Sequence, residues 1–359
     1  MRIAHVAPVI HPVPPSTYGG TERVIADLAT AQAKDGHDVT LFGPTDSTLL
    51  QVRQVGNYRS LAWHERHAGD APPGLPAVLE AQLLRDLLAS GGEHDVVHLH
   101  GSAPASGVAK TLGVPVFRTI HWRADEADHT EHFQAFPQER IIAISQSQAA
   151  AVPAANLAGV VHHGMPADRY SADDGAGGYL AFLGRMTDQK RPDRAIELAR
   201  ATGRKLKLAG PIDPGNPGYF DLIVKPALDE RIRYLGSIDD MGKQDLLGNA
   251  AALVFPIDWP EPFGLVMIEA MACGTPVIAW RRGSVAEVVE DGITGIIVDS
   301  MGEAVERMDE VLKLDRTAIR RNFERRFSDE RMSRETLALY SKVCSSRSSK
   351  ESSARAPSP

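Results

Sequence analysis

Two acidic and two basic residues have the types and the spacing that binding of a phosphorylated sugar requires. Glu261 and Glu269 are separated by seven residues and bracket an almost wholly apolar stretch, and Arg185 and Lys190 stand five residues apart after an apolar run. Carboxylates accept hydrogen bonds from hydroxyl groups, and paired cations stabilise a diphosphate without a metal. On spacing alone, either glutamate could equally be a solvated helix residue, and the two cations could be ordinary surface groups.

The segment that contains the two glutamates predicts the secondary structure around them. It reads as a buried strand, a loop with Glu261, and a helix that begins near Gly264 and contains Glu269. A helix N-terminus offers backbone N–H groups to a diphosphate, and a glycine there allows close approach. We therefore expect Glu261 to hold hydroxyl groups of a sugar, Glu269 to hold a ribose diol, and the backbone of 263–266 to lie against the phosphates.

A second glycine motif lies near the N-terminus. Gly19 and Gly20 stand between the first predicted strand and its helix, where they permit positive φ and close approach to a phosphate; a plain tight turn is the alternative. Thr21 is expected to cap the helix. His98 and His100 alternate along another predicted strand, so we expect them to face opposite sides of the sheet, with no third ligand spaced for a metal.

Composition limits the function classes. The chain has 359 residues, which favours two domains, and its net charge of −7 argues against a general nucleic-acid binder. Two cysteines, Cys273 and Cys344, make a disulfide framework unlikely and fit a reducing cytoplasm. The N-terminus does not read as a signal peptide, and no window approaches the roughly 18 apolar residues of a membrane span. We therefore expect a cytoplasmic protein with at most peripheral membrane association.

Strand and helix patterns alternate along the chain and then start again, which predicts an α/β protein with two doubly wound parallel sheets facing each other. Five strands are expected in each half. The predicted domains are 1–168, 169–325, a C-terminal helix over 326–343 that packs back on the first domain, and a Ser-rich disordered tail over 344–359.

Three motifs in this order resemble those of retaining glycosyltransferases of family 4. EPFGLVMIEAMACGTPVIAWRRGSVAEVVEDGITGIIV resembles the family's E-x7-E signature, FLGRMTDQKRPDRAIELA its basic phosphate clamp, and YGGTERVIADLATAQAKDGHDVTLF its N-terminal glycine loop and first helix. The resemblance extends to about residue 340. Two positions depart from the family pattern: Arg191 stands where glycine is usual after the clamp lysine, and His163 stands where asparagine is commoner.

The resemblance implies the GT-B fold, with two Rossmann-like domains that face a central cleft: an acceptor-side domain first, then a nucleotide-sugar donor domain. It implies sugar transfer to an acceptor hydroxyl with retention of anomeric configuration. It also implies that His121, at the end of a predicted strand, contacts the donor sugar and acts in catalysis with Glu261, Arg185 and Lys190. The donor-binding residues expected are Gly19, Gly20, Arg185, Lys190, Glu261, Phe263, Gly264, Leu265, Val266 and Glu269.

Neither a cofactor nor a metal is expected, since no D-x-D or H-E-x-x-H motif occurs. The donor is expected to be UDP-glucose or similar, with GDP-mannose as an alternative, and the acceptor is open among a glycan, a lipid-linked sugar and a small metabolite. Two other functions are compatible with the sequence: a sugar-nucleotide epimerase of the same fold, and an inactive sugar-nucleotide-binding protein.

Overall fold

A computed structural model describes residues 1–15, 19–101 and 103–354 of the chain. The described chain forms two compact units. One contains Met1–Ile144, Gln148–Gly164 and the C-terminal segment from Asp329; the other contains Ser145–Ser147 and Met165–Ser328. The main division falls after Gly164, close to the boundary at 168/169 expected from the sequence.

The first unit is built on a parallel sheet of seven strands, in the order β3-β2-β1-β4-β5-β6-β7. The strands are β1 (Arg2–Val6), β2 (Asp38–Phe42), β3 (Arg53–Val55), β4 (Val96–Leu99), β5 (Val116–Thr119), β6 (Arg140–Ala143) and β7 (Leu157–Val160). All four residues of β4 are buried, as expected for an inner strand of a parallel sheet covered on both faces.

Six helices connect these strands: α1 (Gly20–Lys34), α2 (Leu61–Ala68), α3 (Leu75–Ala89), α4 (Pro104–Thr111), α5 (Ala127–Ala135) and α6 (Gln146–Ala149). Helix α3 buries Leu79, Leu83 and Leu87, whose spacing of four residues places them on one helix face. These leucines pack with Val6 and Leu99 in the core on one side of the sheet.

The second unit repeats the architecture with six parallel strands in the order β10-β9-β8-β11-β12-β13. The strands are β8 (Tyr179–Leu183), β9 (Leu206–Ala209), β10 (Ile232–Tyr234), β11 (Ala250–Phe255), β12 (Val277–Trp280) and β13 (Gly295–Val298). Each strand order reverses direction beside its first strand, so both sheets are doubly wound.

The helices of the second unit are α7 (Pro192–Ala201), α8 (Pro217–Tyr219), α9 (Asp240–Gly248), α10 (Leu265–Ala272), α11 (Val285–Val288), α12 (Met301–Glu306), α13 (Met308–Val311) and α14 (Arg316–Arg326). A π-helical turn (Phe220–Val224) and a 3-10 turn (Lys225–Ala227) follow α8. The core on one face of this sheet includes Phe182, Leu208 and Trp280. Among the described residues, no helix combines the length and the apolarity needed to cross a membrane.

The last helix, α15 (Asp329–Ala354), belongs to the first unit. Its Tyr340 is fully buried and its Ser333 hydroxyl donates to Asp35 at 2.9 Å. The helix continues through residues expected to form a disordered tail, up to Ala354; residues 355–359 lie outside the described part. Once a helix is anchored by packing, each further residue adds a hydrogen bond at little cost, which a composition argument does not capture.

The ten strands expected from the sequence are all present, and the structure adds β3, β7 and β13. These three are short, with three or four residues each. Strands β3 and β7 have no buried residue, so they lack the continuous apolar run from which the inner strands were predicted.

Candidate functional site

The residues singled out from the sequence follow particular strands. Arg185 comes after β8 and Glu261 after β11, the two neighbouring strands at which the order of the second sheet reverses. Gly19 comes in the connection after β1, and His121 comes after β5. In doubly wound sheets, ligands bind beyond the carboxyl ends of the strands at the reversal point. The second unit therefore has its candidate donor residues at the expected edge.

Lys190 and Glu261 form a direct ion pair, with Lys190 Nζ donating to Glu261 Oε2. The same carboxylate oxygen accepts a hydrogen bond from the indole Nε1 of Trp259 at 2.7 Å. Lys190 Nζ also lies 4.7 Å from the centroid of the Trp259 ring, within cation–π range. Trp259, which the sequence analysis missed, therefore touches both partners of the pair.

The loop that carries Glu261 is held by hydrogen bonds from Ser284 to two of its backbone carbonyl groups. The Ser284 amide donates to the carbonyl of Glu261 at 2.9 Å, and the Ser284 hydroxyl donates to the carbonyl of Phe263 at 2.9 Å. A Cβ at Gly283 would come within 2.3 Å of the Glu261 carbonyl oxygen, so only glycine permits this approach. Gly283 and Ser284 thus fix the loop, and neither was singled out from the sequence.

Gly264 caps the start of α10 with a left-handed backbone, φ 80°. A Cβ there would lie 2.7 Å from Met267 Cε and 3.1 Å from Phe255 Cζ, so both the conformation and the space require glycine. Leu265 and Val266 form the first turn of α10 and are half-buried. The helix N-terminus expected beside Glu261 is therefore present.

Glu269, on α10, has a partner that the sequence analysis did not find. Lys243 Nζ, on α9, donates to Glu269 Oε1 at 2.7 Å. Both side chains are largely enclosed, with 14% of Glu269 and 19% of Lys243 exposed. Their separation of 26 residues along the chain leaves no local signal for this pair.

Arg185 lies near a different carboxylate. Its Nη1 is 3.7 Å from Asp213 Oδ1, a loose contact that leaves donors available. Its Nε is buried and has no hydrogen-bond partner among the described residues. Because a buried N–H group without a partner is costly, this atom marks a position where a ligand acceptor would be stabilising.

Arg191, the departure from the family pattern, adopts a left-handed backbone with φ 56°. Such a conformation is strained for residues other than glycine, which explains why glycine is the usual residue there. The Arg191 guanidinium donates to Asp193 at 2.8 Å and to Asp258 at 3.1 Å. Asp258 also pairs with Arg194 and, more loosely, with Arg282. These ion pairs connect the clamp loop to the loop that carries Glu261.

The first unit contains a buried histidine cluster where the sequence analysis expected separated rings. His98 and His100 do not lie on opposite sides: their ring centroids are 4.1 Å apart. His5 on β1 is in register with His98 on β4, and one ligand atom from each of His5, His98 and His100 lies within 4.8 Å of the others. The expectation that no third potential metal ligand accompanies them was therefore wrong, because strand pairing brings in a residue more than ninety positions away.

Hydrogen bonds link these rings into a chain. Gln32 Oε1 lies 2.7 Å from His5 Nε2, His5 Nδ1 lies 3.0 Å from His100 Nε2, and His100 Nδ1 lies 3.0 Å from His121 Nε2. The rings of His121 and His163 stack with centroids 5.3 Å apart. His121 Nδ1 is buried and has no hydrogen-bond partner among the described residues.

Burial keeps these rings neutral at neutral pH. It lowers the pKa of His5 to about 4 and that of His121 to about 3. It also lowers the pKa values of His98, His100 and His163 well below the ordinary value, with smaller contributions from neighbouring histidines. The cluster therefore supplies directional hydrogen bonds and not positive charge.

The glycine motif at the start of α1 differs from expectation at its cap. Gly19, with φ 149°, occupies the N-cap position without a side-chain cap bond, so Thr21 is not the cap; Gly20 is the first helical residue. Glu22, in the same turn, is buried, and loss of hydration raises its pKa to about 7. Residues 16–18 of this motif lie outside the described part.

Comparisons with known proteins agree with this architecture. The sequence model described as Glycosyl transferases group 1 matches residues 171–328, and that described as Glycosyltransferase Family 4 matches residues 18–170. A D-inositol 3-phosphate glycosyltransferase from Mycobacterium sp. (strain KMS) is 25% identical over 88% of this chain and 83% of its own. The protein of that name from Actinosynnema mirum is 28% identical over 78% of this chain and 80% of its own.

Solved structures show the same fold. Sucrose-phosphate synthase from Thermosynechococcus elongatus superposes with a TM-score of 0.77 at 19% identity, covering 96% of this chain and 100% of its own. Anabaena HepE in complex with UDP-glucose gives a TM-score of 0.68 at 18% identity, covering 96% and 100%. With the two family matches, which together span residues 18–328, these findings show that the chain belongs to the group 1 glycosyltransferases of family 4, enzymes with the GT-B fold.

Proposed function

We propose that the protein transfers a sugar, with retention of configuration, from a nucleoside-diphosphate donor to a hydroxyl group of a small phosphorylated acceptor. The observation that carries the proposal is the convergence of Lys190, Glu261 and the N-terminus of α10 at the carboxyl ends of β8 and β11. Arg185, whose Nε has no hydrogen-bond partner in the described part of the chain, also follows β8. This set supplies positive charge for a diphosphate and a carboxylate for sugar hydroxyls.

The two cations stabilise the charge that develops on the leaving group during the reaction. As the bond between the anomeric carbon and the phosphate oxygen breaks, negative charge develops on the leaving diphosphate, and Arg185 and Lys190 stabilise it. The acceptor oxygen bonds to the same face of the anomeric carbon, and its proton passes to the departing phosphate oxygen. Two fixed cations and a helix N-terminus perform this task without a metal ion.

The remaining groups position the donor. Glu261 accepts hydrogen bonds from hydroxyl groups of the transferred sugar, and its pairing with Lys190 leaves lone pairs on the carboxylate for them. Glu269, oriented by Lys243, accepts from the ribose diol. The backbone of 263–266 lies along the phosphates and the sugar. In the first domain, His121 and the loop of Gly19 and Gly20 are the residues that the family resemblance implies for contacts with the sugar and a phosphate.

The relatives suggest which substrates to test first. The curated relatives are named for D-inositol 3-phosphate as the molecule they glycosylate, and the Anabaena structure contains UDP-glucose. We therefore propose a UDP-sugar as donor, UDP-glucose before GDP-mannose, and a phosphorylated cyclitol or similar small polyol phosphate as acceptor.

The deciding experiment incubates the protein with UDP-glucose, UDP-galactose, UDP-N-acetylglucosamine or GDP-mannose, each with and without D-inositol 3-phosphate. Release of nucleoside diphosphate and the anomeric configuration of the product are measured, with and without EDTA. We expect acceptor-dependent release from one donor, a product of retained configuration, and no loss with EDTA. Glu261→Gln and Lys190→Met should each lower the rate of release by about 10²- to 10³-fold, while Lys205→Met, at an exposed position, serves as the matched control.

The same experiment separates the other functions. An altered nucleotide sugar without diphosphate release would identify an epimerase. A donor-induced thermal shift without any turnover would identify a binding protein. Either result would overturn the proposed transfer.

A further inference from the structure

The buried histidine chain of the first unit ends at an atom that the proposed function does not yet explain. Gln32, His5, His100 and His121 are joined by three hydrogen bonds of 2.7–3.0 Å. The two ends differ: Gln32 lies on α1, and His121 Nδ1 is buried without a partner among the described residues. A neutral imidazole has one N–H donor and one bare acceptor nitrogen, so each bond in the chain constrains the next.

The direction of the chain follows from its first bond. Gln32 Oε1 can only accept, so His5 carries its proton on Nε2 and leaves Nδ1 bare. His100 must then donate from Nε2 to His5 Nδ1, which leaves His100 Nδ1 bare. His121 must in turn donate from Nε2 to His100 Nδ1. We infer that Gln32 fixes the tautomers of His5, His100 and His121, and so presents His121 Nδ1 as a bare acceptor for a substrate hydroxyl group.

The charge state of the rings supports this polarity. Burial disfavours the charged form of all three rings, so a doubly protonated imidazolium does not interrupt the alternation of donor and acceptor. Gln32 Nε2, the other polar atom of the amide, is buried and has no hydrogen-bond partner among the described residues, so the polarity rests on the contact between Gln32 Oε1 and His5 Nε2.

A second series of hydrogen bonds joins Tyr340, His98 and Thr119. The Tyr340 hydroxyl lies 2.6 Å from His98 Nδ1, and His98 Nε2 lies 2.8 Å from Thr119 Oγ1. With these bonds and the chain above, both nitrogens of His5, His98 and His100 are engaged. A metal ion bound by these three rings would therefore have to replace at least one hydrogen bond at each of them.

The chemical consequence concerns the role of His121. A bare Nδ1 on a neutral ring accepts a hydrogen bond from a hydroxyl group and cannot protonate a leaving group. His121 therefore orients a sugar or acceptor hydroxyl, while His100, His5 and Gln32 act as positioning residues behind it. Only the identification of the hydroxyl donor with a substrate rests on the proposed function; the tautomers are a property of the free protein.

The test measures the tautomers directly in ligand-free, full-length protein labelled with ¹⁵N in histidine. Long-range ¹H–¹⁵N correlation spectra distinguish a protonated from a bare ring nitrogen, and the His121→Gln variant assigns the His121 signals. We expect His121 to be protonated on Nε2 and bare on Nδ1. A protonated Nδ1 would overturn the inference, whatever the outcome of the transfer assays.

Variants of Gln32 test the direction of control. Gln32→Glu retains an acceptor for His5 and should keep the His121 tautomer, whereas Gln32→Met should lose the single tautomer. The exposed His67 serves as an internal reference, because its signals should not change. An unchanged His121 tautomer in Gln32→Met would show that Gln32 does not set it. If the transfer reaction is established, Gln32→Met should also lower kcat, while the KM for the donor stays near its wild-type value. Gln32→Glu, in contrast, should have a kcat near that of the wild type.

Discussion

The strand order reverses between β8 and β11 in the second sheet and between β1 and β4 in the first. Near the first of these positions, Lys190 and Glu261 form a pair of opposite charges. Near the other, His5, His98 and His100 form a cluster of neutral rings. The two sheets have equivalent topology, so the difference lies in the side chains and their hydration. Lys190 keeps 17% of its side chain exposed and Glu261 9%, while His5 and His98 are essentially inaccessible.

This difference in hydration decides which kind of group each domain can use. Removing a charge from water costs several kcal/mol unless a partner compensates for it. Lys190 and Glu261 compensate each other at a partly open edge. The histidines have no carboxylate among the hydrogen-bond partners described above. They are therefore neutral at neutral pH and contribute directional hydrogen bonds but no charge. Electrostatic stabilisation is therefore expected from the second domain, and hydroxyl orientation from the first.

The largest expected effect is loss of the charged pair. Glu261→Gln and Lys190→Met should each lower kcat by about 10²- to 10³-fold, the cost of removing a group that stabilises developing charge. His121→Gln should cost less, because it removes a neutral hydrogen bond. Steady-state kinetics with the donor identified above would check this order. A larger loss for His121→Gln would reverse the roles assigned to the two domains.

The sequence predicted the charged half of this comparison better than the neutral half. Arg185, Lys190, Glu261 and Gly264 lie in short motifs whose spacing already indicates a strand end and a helix start, and the structure places Lys190 against Glu261. Their partners were missed where contacts depend on distant segments: Lys243 reaches Glu269 from another helix. Trp259 is close in sequence, but nothing in its residue type indicated the bond to Glu261.

The histidine cluster shows why such contacts escape sequence reasoning. His98 and His100 were both placed along one predicted strand, and alternation along that strand indicated separated rings. In the structure β4 ends at Leu99, so His100 follows the strand. His5 joins them through the pairing of β1 with β4, and Gln32 joins through the packing of α1. Register between strands and the rotation of a helix on a sheet are tertiary properties, so a local periodicity argument does not reach them.

The neutral rings predict a second effect, on acid stability. Because the folded-state pKa of His5 is lowered to about 4, the unfolded chain binds its proton first as the pH falls below about 6.5. The stabilisation is present above that pH and is lost toward pH 4, by about 2 kcal/mol for this histidine between pH 6.5 and 5. Urea unfolding at pH 7, 6 and 5 measures the loss.

The His5→Gln variant tests the assignment of this acid sensitivity. Its free energy of unfolding should fall less steeply between pH 6.5 and 5 than that of the wild type, even if it is less stable at pH 7. A substitution of the exposed His67 is the matched control. An unchanged slope in His5→Gln would show that burial of this ring does not produce the sensitivity.

Glu22 predicts a third effect, of opposite sign, in the same domain. Burial raises its pKa to about 7, so the folded state binds a proton more tightly than the unfolded chain does. Its contribution to stability is present below about pH 4.5 and is lost as the pH rises through about 7. Glu22→Gln, which remains neutral, should therefore be more stable than the wild type at pH 8 by about 3 kcal/mol, with little difference at pH 4.5.

Urea unfolding of both proteins at pH 8 and pH 4.5 measures this difference. Glu65→Gln on α2, at an exposed position, controls for the change in net charge. Equal stability of wild type and Glu22→Gln at pH 8 would mean that the carboxylate is compensated in the folded state. It would also weaken the contrast between the neutral histidine cluster of the first domain and the charged pair of the second.

The smallest expected effect separates strain from charge at Arg191. Its positive φ costs about 1 kcal/mol that glycine would not incur, while its guanidinium binds Asp193 and Asp258. Arg191→Gly and Arg191→Ala both remove these ion pairs, but only Arg191→Gly also removes the strain. The glycine variant should therefore unfold with a free energy about 1 kcal/mol higher than the alanine variant, less the entropy that glycine gains in the unfolded chain. If the two variants are equally stable, the left-handed backbone is not the reason that glycine is usual here. If both variants also lose activity to the same extent, the ion pair between Arg191 and Asp258 is what holds the clamp loop against the loop of Glu261.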